Sequence, residues 1–123
     1  MTLAHPPPLT EAEMALVDPR LRLTPREQLE MRAAFAEALP VGATVYLYGS
    51  RVDRNARGGD IDLLVHLPGV TFQDELQLTG RLEVALERRL GERKVDIVFT
   101  GTVGDDAKPF VRLVLPKARR LFP

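Results

Sequence analysis

The stretch "YLYGSRVDRNARGGDIDLLV", Tyr46 to Val65, decides how this chain folds. An apolar run stops at Gly49-Ser50, a polar and basic segment follows, and an apolar run resumes that carries Asp60 and Asp62. Side chains alternate along a strand, so Asp60 and Asp62 project to one face while Ile61, Leu63 and Val65 project to the other. Two carboxylates side by side repel, and burial raises the cost of keeping them ionised. A compensating cation is expected there.

Upstream, "ATVYLYG" is rich in β-formers and ends on glycine, which predicts a strand over 43–48. "DIDLLVHL" predicts a second strand, stopped by Pro68-Gly69, and "RKVDIVFT" a third. In the third, Val95, Ile97 and Phe99 share one face, and Asp96 falls on the other beside Lys94 and Val98. If the second and third strands are neighbours with their apolar faces aligned, Asp96 joins the aspartate pair. Three carboxylates there, with no histidine cluster and no cysteine, suit a hard cation such as Mg²⁺ or Mn²⁺ rather than zinc. A D-x-D alone is a weak signal, and an aspartate within "VDIVF" equally fits the solvated face of a sheet. The combination raises its weight.

Helices fill the intervals. Thr10 with Glu13, and Thr24 with Glu27, form capping-box patterns. The first opens a short helix ending near Val17. The second, with Pro25 at the first helical position, opens a helix to Leu39 that carries Met31, Phe35 and Leu39 at helical spacing. Thr71 and Asp74 cap a third helix, Phe72 to Leu90, with Gly91 as its stop. A helix interrupted by Pro109 and closed by Pro116 is expected between Asp105 and Leu115, and "KARRLF" is expected to be a short edge strand that resists further pairing.

These elements predict an α/β (α+β) domain: a small mixed β-sheet with helices packed mainly on one face. Residues 1–24 are expected to be an N-terminal arm with a short helix, and 25–123 a single domain. The 123-residue length suits one modest core. Hydrophobic residues at 45% and charged residues at 28% are those of a globular protein. Lys+Arg and Asp+Glu are both 17, and this zero net charge argues against a nucleic-acid coat. The absence of cysteine excludes disulfides and thiolate metal sites. No apolar run approaches spanning length and the amino terminus lacks a secretory pattern, so a cytoplasmic protein without membrane association is expected.

Gly49 allows a tight turn and close backbone approach, while Ser50 and free N–H groups can hold a phosphate. The competing reading is a plain turn. Arg51, Arg54 and Arg57 form either a solvated loop or a counter-charge for a triphosphate, and Gly58-Gly59 reads as a flexible hinge delivering Asp60 to its strand. His66 shares the aspartate face but lies too far along the strand for a site role, so a surface or packing role is expected. Tyr46 and Tyr48 read as core rather than as stacking platforms.

"GSRVDRNARGGDIDLLV" followed by "KVDIVFT" resembles the DNA polymerase β-like nucleotidyltransferase superfamily, specifically its minimal nucleotidyltransferases, over roughly residues 25 to 100. Their hallmark is a Gly-Ser turn, D-x-D on the next strand and a third acidic residue on a later strand. Family members often carry Ala and Gly where this chain has Val52 and Arg54, and Ser where it has Gly59. The resemblance implies that Asp60, Asp62 and Asp96 are catalytic and bind two Mg²⁺ ions (Mn²⁺ as a substitute), with Asp96 on the catalytic one. It implies that Gly49, Ser50 and Arg51 bind the nucleotide. The reaction implied is in-line displacement at the α-phosphorus of a nucleoside triphosphate such as ATP, with pyrophosphate leaving.

The domain leaves little room for an acceptor-selecting unit, so the acceptor is expected from outside. Minimal members are frequently paired, as antitoxins, with a helical HEPN-type toxin, and some transfer AMP to a tyrosine of that partner. The resemblance extends both expectations here. The alternative is a binding module that neutralises a partner by contact with little catalysis. A nucleic-acid partner is not expected; a homodimer is a further expectation from small size and open sheet edges.

Overall fold

The computed structural model of the protein describes residues 7–101 and 108–123. Four strands form one mixed sheet in the order β3-β2-β1-β4: β1 (Thr44–Tyr48), β2 (Ile61–His66), β3 (Val95–Thr100) and β4 (Arg119–Phe122). β1 pairs antiparallel with β2 and β4, and β2 pairs parallel with β3. A parallel pair needs a long crossover, and helix α3 (Phe72–Leu90) supplies it. Among the described residues, no helix is long and apolar enough to cross a membrane.

Helix boundaries follow their caps. α1 (Glu11–Met14), α2 (Pro25–Ala38) and α3 each begin at a threonine whose hydroxyl accepts the N3 amide while the N3 acid accepts the threonine amide. α3 ends at Gly91, whose amide bonds to the Glu87 carbonyl. α1 stops at Met14, short of the Val17 expected from sequence. α4 (Pro109–Val114) begins at Pro109 instead of being interrupted by it, because proline's missing donor is harmless in the first turn. The expected helix start at Asp105 lies outside the described residues. "RRLF" is the expected edge strand, set on β1 with a bulge between Val45 and Tyr46.

The sheet has two unlike faces. On one, Val45, Leu47, Ile61, Leu63, Val65, Phe99 and Leu121 pack beneath α2 and α3, with Met31, Phe35, Leu82 and Leu86 buried opposite them. Exposed ion pairs between Arg89 and Glu30 and between Arg88 and Glu37 join the two helices at their rim, where such pairs add little stability. On the other face Tyr48 and Leu64, with Tyr46 and Val98, pack against Val111 and Val114 of α4. The Tyr48 and Phe110 rings meet edge-on, with centroids 5.5 Å apart.

The core reaches back beyond the boundary expected at residue 25. Leu21 and Leu23 are fully or nearly buried within it. Gln28, also buried, fixes the approaching segment: its Oε1 accepts from the Asp18 amide, and its Nε2 donates to the Asp18 and Leu23 carbonyls. All the polar atoms of a buried amide side chain are thereby satisfied by backbone. Residues 18–24 form a strap across the domain.

Candidate active site

The parallel register of β2 and β3 sets Asp62 directly beside Asp96. Both side chains lie on the face away from α2 and α3, because their neighbours in sequence, Ile61, Leu63, Val95 and Ile97, belong to the core on the opposite face. Asp62 is half-buried and Asp96 exposed. Partial burial holds the Asp62 carboxyl above its ordinary range; the charges of Asp96 and Asp60 and a hydrogen bond with Asp96 raise it further, while Lys94 pulls the other way. The two in-register acids therefore share a site that resists double ionisation. Tyr48 pairs with Asp62 across β1 and β2 and so lies at the site's edge, where burial, then the charges of Asp62 and Asp96, raise the proton affinity of its hydroxyl.

Asp60 stands apart. Its Oδ2 lies 3.5 Å from Lys94 Nζ in a largely exposed pair. Among the described residues, no three acidic or imidazole side chains are grouped as a metal cluster. Of the three carboxylates expected to converge, Asp62 stands beside Asp96, and Asp60 is paired with Lys94. The donor chemistry of the pair still fits a hard divalent cation: carboxylate oxygens alone, one of them destabilised by its neighbours' charge. His66 is half-buried at the far end of β2, opposite Thr44 and Thr100, away from the acids.

Gly49 follows β1 and opens the 3-10 turn Gly49–Val52. Its φ is +78°, and a Cβ there would lie 2.4 Å from Asp62 Oδ2. Glycine is required twice over, by the backbone conformation and by the carboxylate standing against it. Gly58, read from sequence as part of a hinge, is instead a point of close packing. Its φ is +145°, and a Cβ would come 2.8 Å from Ser50 Oγ.

The loop between the turn and β2 is held by arginines. Arg51 Nη1 donates to the Arg22 carbonyl and Nη2 to the Gly59 carbonyl, both at 2.9 Å. Burial, and next the Arg22 charge, lower its guanidinium below its ordinary value. The Arg51 side chain therefore faces loop backbone. Arg54 donates to the Pro19 carbonyl, and Arg57 is exposed.

Sequence reading missed Arg22. From the strap, its Nη2 donates to Ser50 Oγ at 3.2 Å and to the Gly58 carbonyl at 2.7 Å, and its amide bonds to the Arg51 carbonyl at 2.8 Å. The only signal in the sequence is an arginine between two leucines, which alternation would place outside the core between two anchors. Nothing local tells that its partners lie 28 and 36 residues away.

The family model described as "Polymerase beta, Nucleotidyltransferase" matches residues 34–120, a span that holds the glycine turn, all three aspartates and all four strands. No curated protein gives a significant match to the chain.

Proposed function

Because the chain belongs to the polymerase beta nucleotidyltransferase family, we propose that it transfers a nucleoside monophosphate, AMP from ATP, to an acceptor hydroxyl in a Mg²⁺-dependent reaction. The observation that carries this reading is the in-register pair Asp62–Asp96 set against Gly49. Outside a functional site, two carboxylates set side by side on neighbouring strands cost stability whenever both are ionised.

Asp62 and Asp96, with Asp60 released from its exposed contact to Lys94, are the residues that would hold Mg²⁺. The ion, when bound, supplies charge for the triphosphate and acidity for the acceptor hydroxyl. Asp96, the exposed member of the pair, would receive the acceptor's proton. Ser50 Oγ and the amides of the 3-10 turn hold the β- and γ-phosphates. Arg51 serves the nucleotide indirectly, by fixing the Gly59 carbonyl and so the path of the loop into Asp60.

The exposure of Asp96 suits an acceptor presented on a macromolecular surface, and the tyrosine of a HEPN-type helical partner is the acceptor we propose, with an antitoxin role following from it. A second reading is a module that neutralises its partner by contact. The pairing of Asp60 with Lys94, and the lack of a three-acid cluster among the described residues, favour that reading.

Calorimetric titration of ATP, with and without Mg²⁺, onto the wild type and Asp62→Asn tests the first. Metal-dependent binding lost in the variant is the expected result; metal-independent binding, or none, would overturn it. Asp62→Asn should also abolish neutralisation of the partner while leaving partner binding intact. Unchanged neutralisation would instead establish the contact reading.

A further inference from the structure

We infer that Arg22 is a positioning residue for nucleotide binding: it orients the Ser50 hydroxyl toward the incoming phosphate. The inference rests on the nucleotide reading of the preceding subsection.

A serine hydroxyl has one proton and two lone pairs, so its use as a donor depends on what its oxygen already accepts. Arg22 Nη2 donates to Ser50 Oγ at 3.2 Å. A guanidinium has no acceptor, so the Ser50 proton cannot turn back toward Arg22. It is left to point away from Arg22. A charged donor on the oxygen also polarises the O–H and strengthens the bond it can give to a phosphoryl oxygen.

The arginine is held through Nη2 and through its backbone, while its buried Nε has no hydrogen-bond partner among the described residues. The same Nη2 binds the Gly58 carbonyl at 2.7 Å. The Arg22 amide and carbonyl are bonded to the Arg51 carbonyl and to Arg51 Nη1, at 2.8 and 2.9 Å. Leu21 and Leu23, at 0% and 6% exposure, anchor the backbone on either side. Gly58 completes the arrangement, since a Cβ there would come 2.8 Å from Ser50 Oγ. Thus a strap outside the family-matched span reaches the serine of the turn with a fixed cation.

A double-mutant cycle on binding of ATP with Mg²⁺ tests this, with Arg22→Gln, Ser50→Ala and the double variant, each checked for its melting temperature. Each single variant should weaken binding by ~10-fold or more, the scale of a charge-assisted hydrogen bond. If Arg22 acts through Ser50, Arg22→Gln should have almost no further effect once Ser50 is alanine. Equal losses in both backgrounds would overturn the proposal and leave Arg22 as a brace of the Gly58 carbonyl. Should Arg22→Gln fail to fold, Arg22→Lys replaces it in the cycle, with the same two outcomes. No binding of ATP by the wild type would overturn the nucleotide reading itself, and this proposal with it.

Discussion

The two faces of β2 differ by a single residue step and serve opposite ends. Ile61, Leu63 and Val65 are buried under α2 and α3, where every methylene removed from water favours folding. Asp62, one position along, faces Asp96 and is pushed toward its neutral form by that contact and by partial burial. One face of the strand is core throughout, while the other buries Leu64 but also holds like charges together at a cost in stability. A β-strand can do both because its period is two, so neither pattern interrupts the other.

The sharpest way to separate the faces is to damage each. On the core face, Phe35→Ala removes a ring at 0% exposure that also meets Phe122 at 5.7 Å, and should cost about 3–5 kcal/mol in denaturant unfolding. At the junction, Gly49→Ala should cost about 1–3 kcal/mol from its left-handed backbone alone. It should also displace the Asp62 carboxylate, so ATP binding should fall further than stability does. Loss of stability without loss of binding would show that the glycine serves only the turn.

On the acidic face the sign should reverse. Asp62→Asn should stabilise the protein at neutral pH, on the order of 0.5 kcal/mol, by removing one of two adjacent like charges. Folding raises the proton affinity of Asp62, so its ionised form opposes folding at pH values above its raised folded pKa. That opposition fades as pH falls through this value and is gone below the ordinary carboxylate range, where both states are protonated. The advantage of the asparagine variant should therefore shrink to nothing in acid, as followed by thermal melts across pH. An advantage that grows in acid would contradict the assigned repulsion.

Smallest of all, Lys94→Ala should change stability by no more than ~0.5 kcal/mol, since its pair with Asp60 is largely exposed. Its effect should appear instead in the titration of Asp62, whose pKa should rise further once this favourable charge is gone. An NMR titration of the Asp62 carboxyl carbon would read it.

Most of this architecture is legible in the sequence because it is written locally. Three capping boxes, the Gly91 stop and the strict alternation of "DIDLLV" and "VDIVF" set helix starts, strand faces and the meeting of Asp62 with Asp96. What escaped reading lies in contacts between distant segments. Pro109 is ambiguous until its place in the turn is known, and Gly58 reads as a hinge until Ser50 is seen against it. The direction of Arg51 and the reach of Arg22 depend on how residues 18–24 cross the loop, which no periodicity encodes. Asp60 escaped for another reason: at a strand's start, side-chain direction is set by the loop and by Lys94, not by the pleat.

The placement of β4 carries a consequence for the order in which the fold is made. β1 and β2 are joined through residues 49–60, whereas β4 must return past β2, α3 and β3 to lie beside β1, where Arg32 of α2 grips the Leu121 carbonyl 89 residues away. Chain entropy penalises the longer closure, so the β1–β2 hairpin with α2 should assemble before β4 docks. Leu121→Ala should then speed unfolding while barely slowing folding in stopped-flow measurements, and a folding rate that falls in proportion to stability would place β4 in the nucleus instead. The last strand acts as a latch on a sheet already formed.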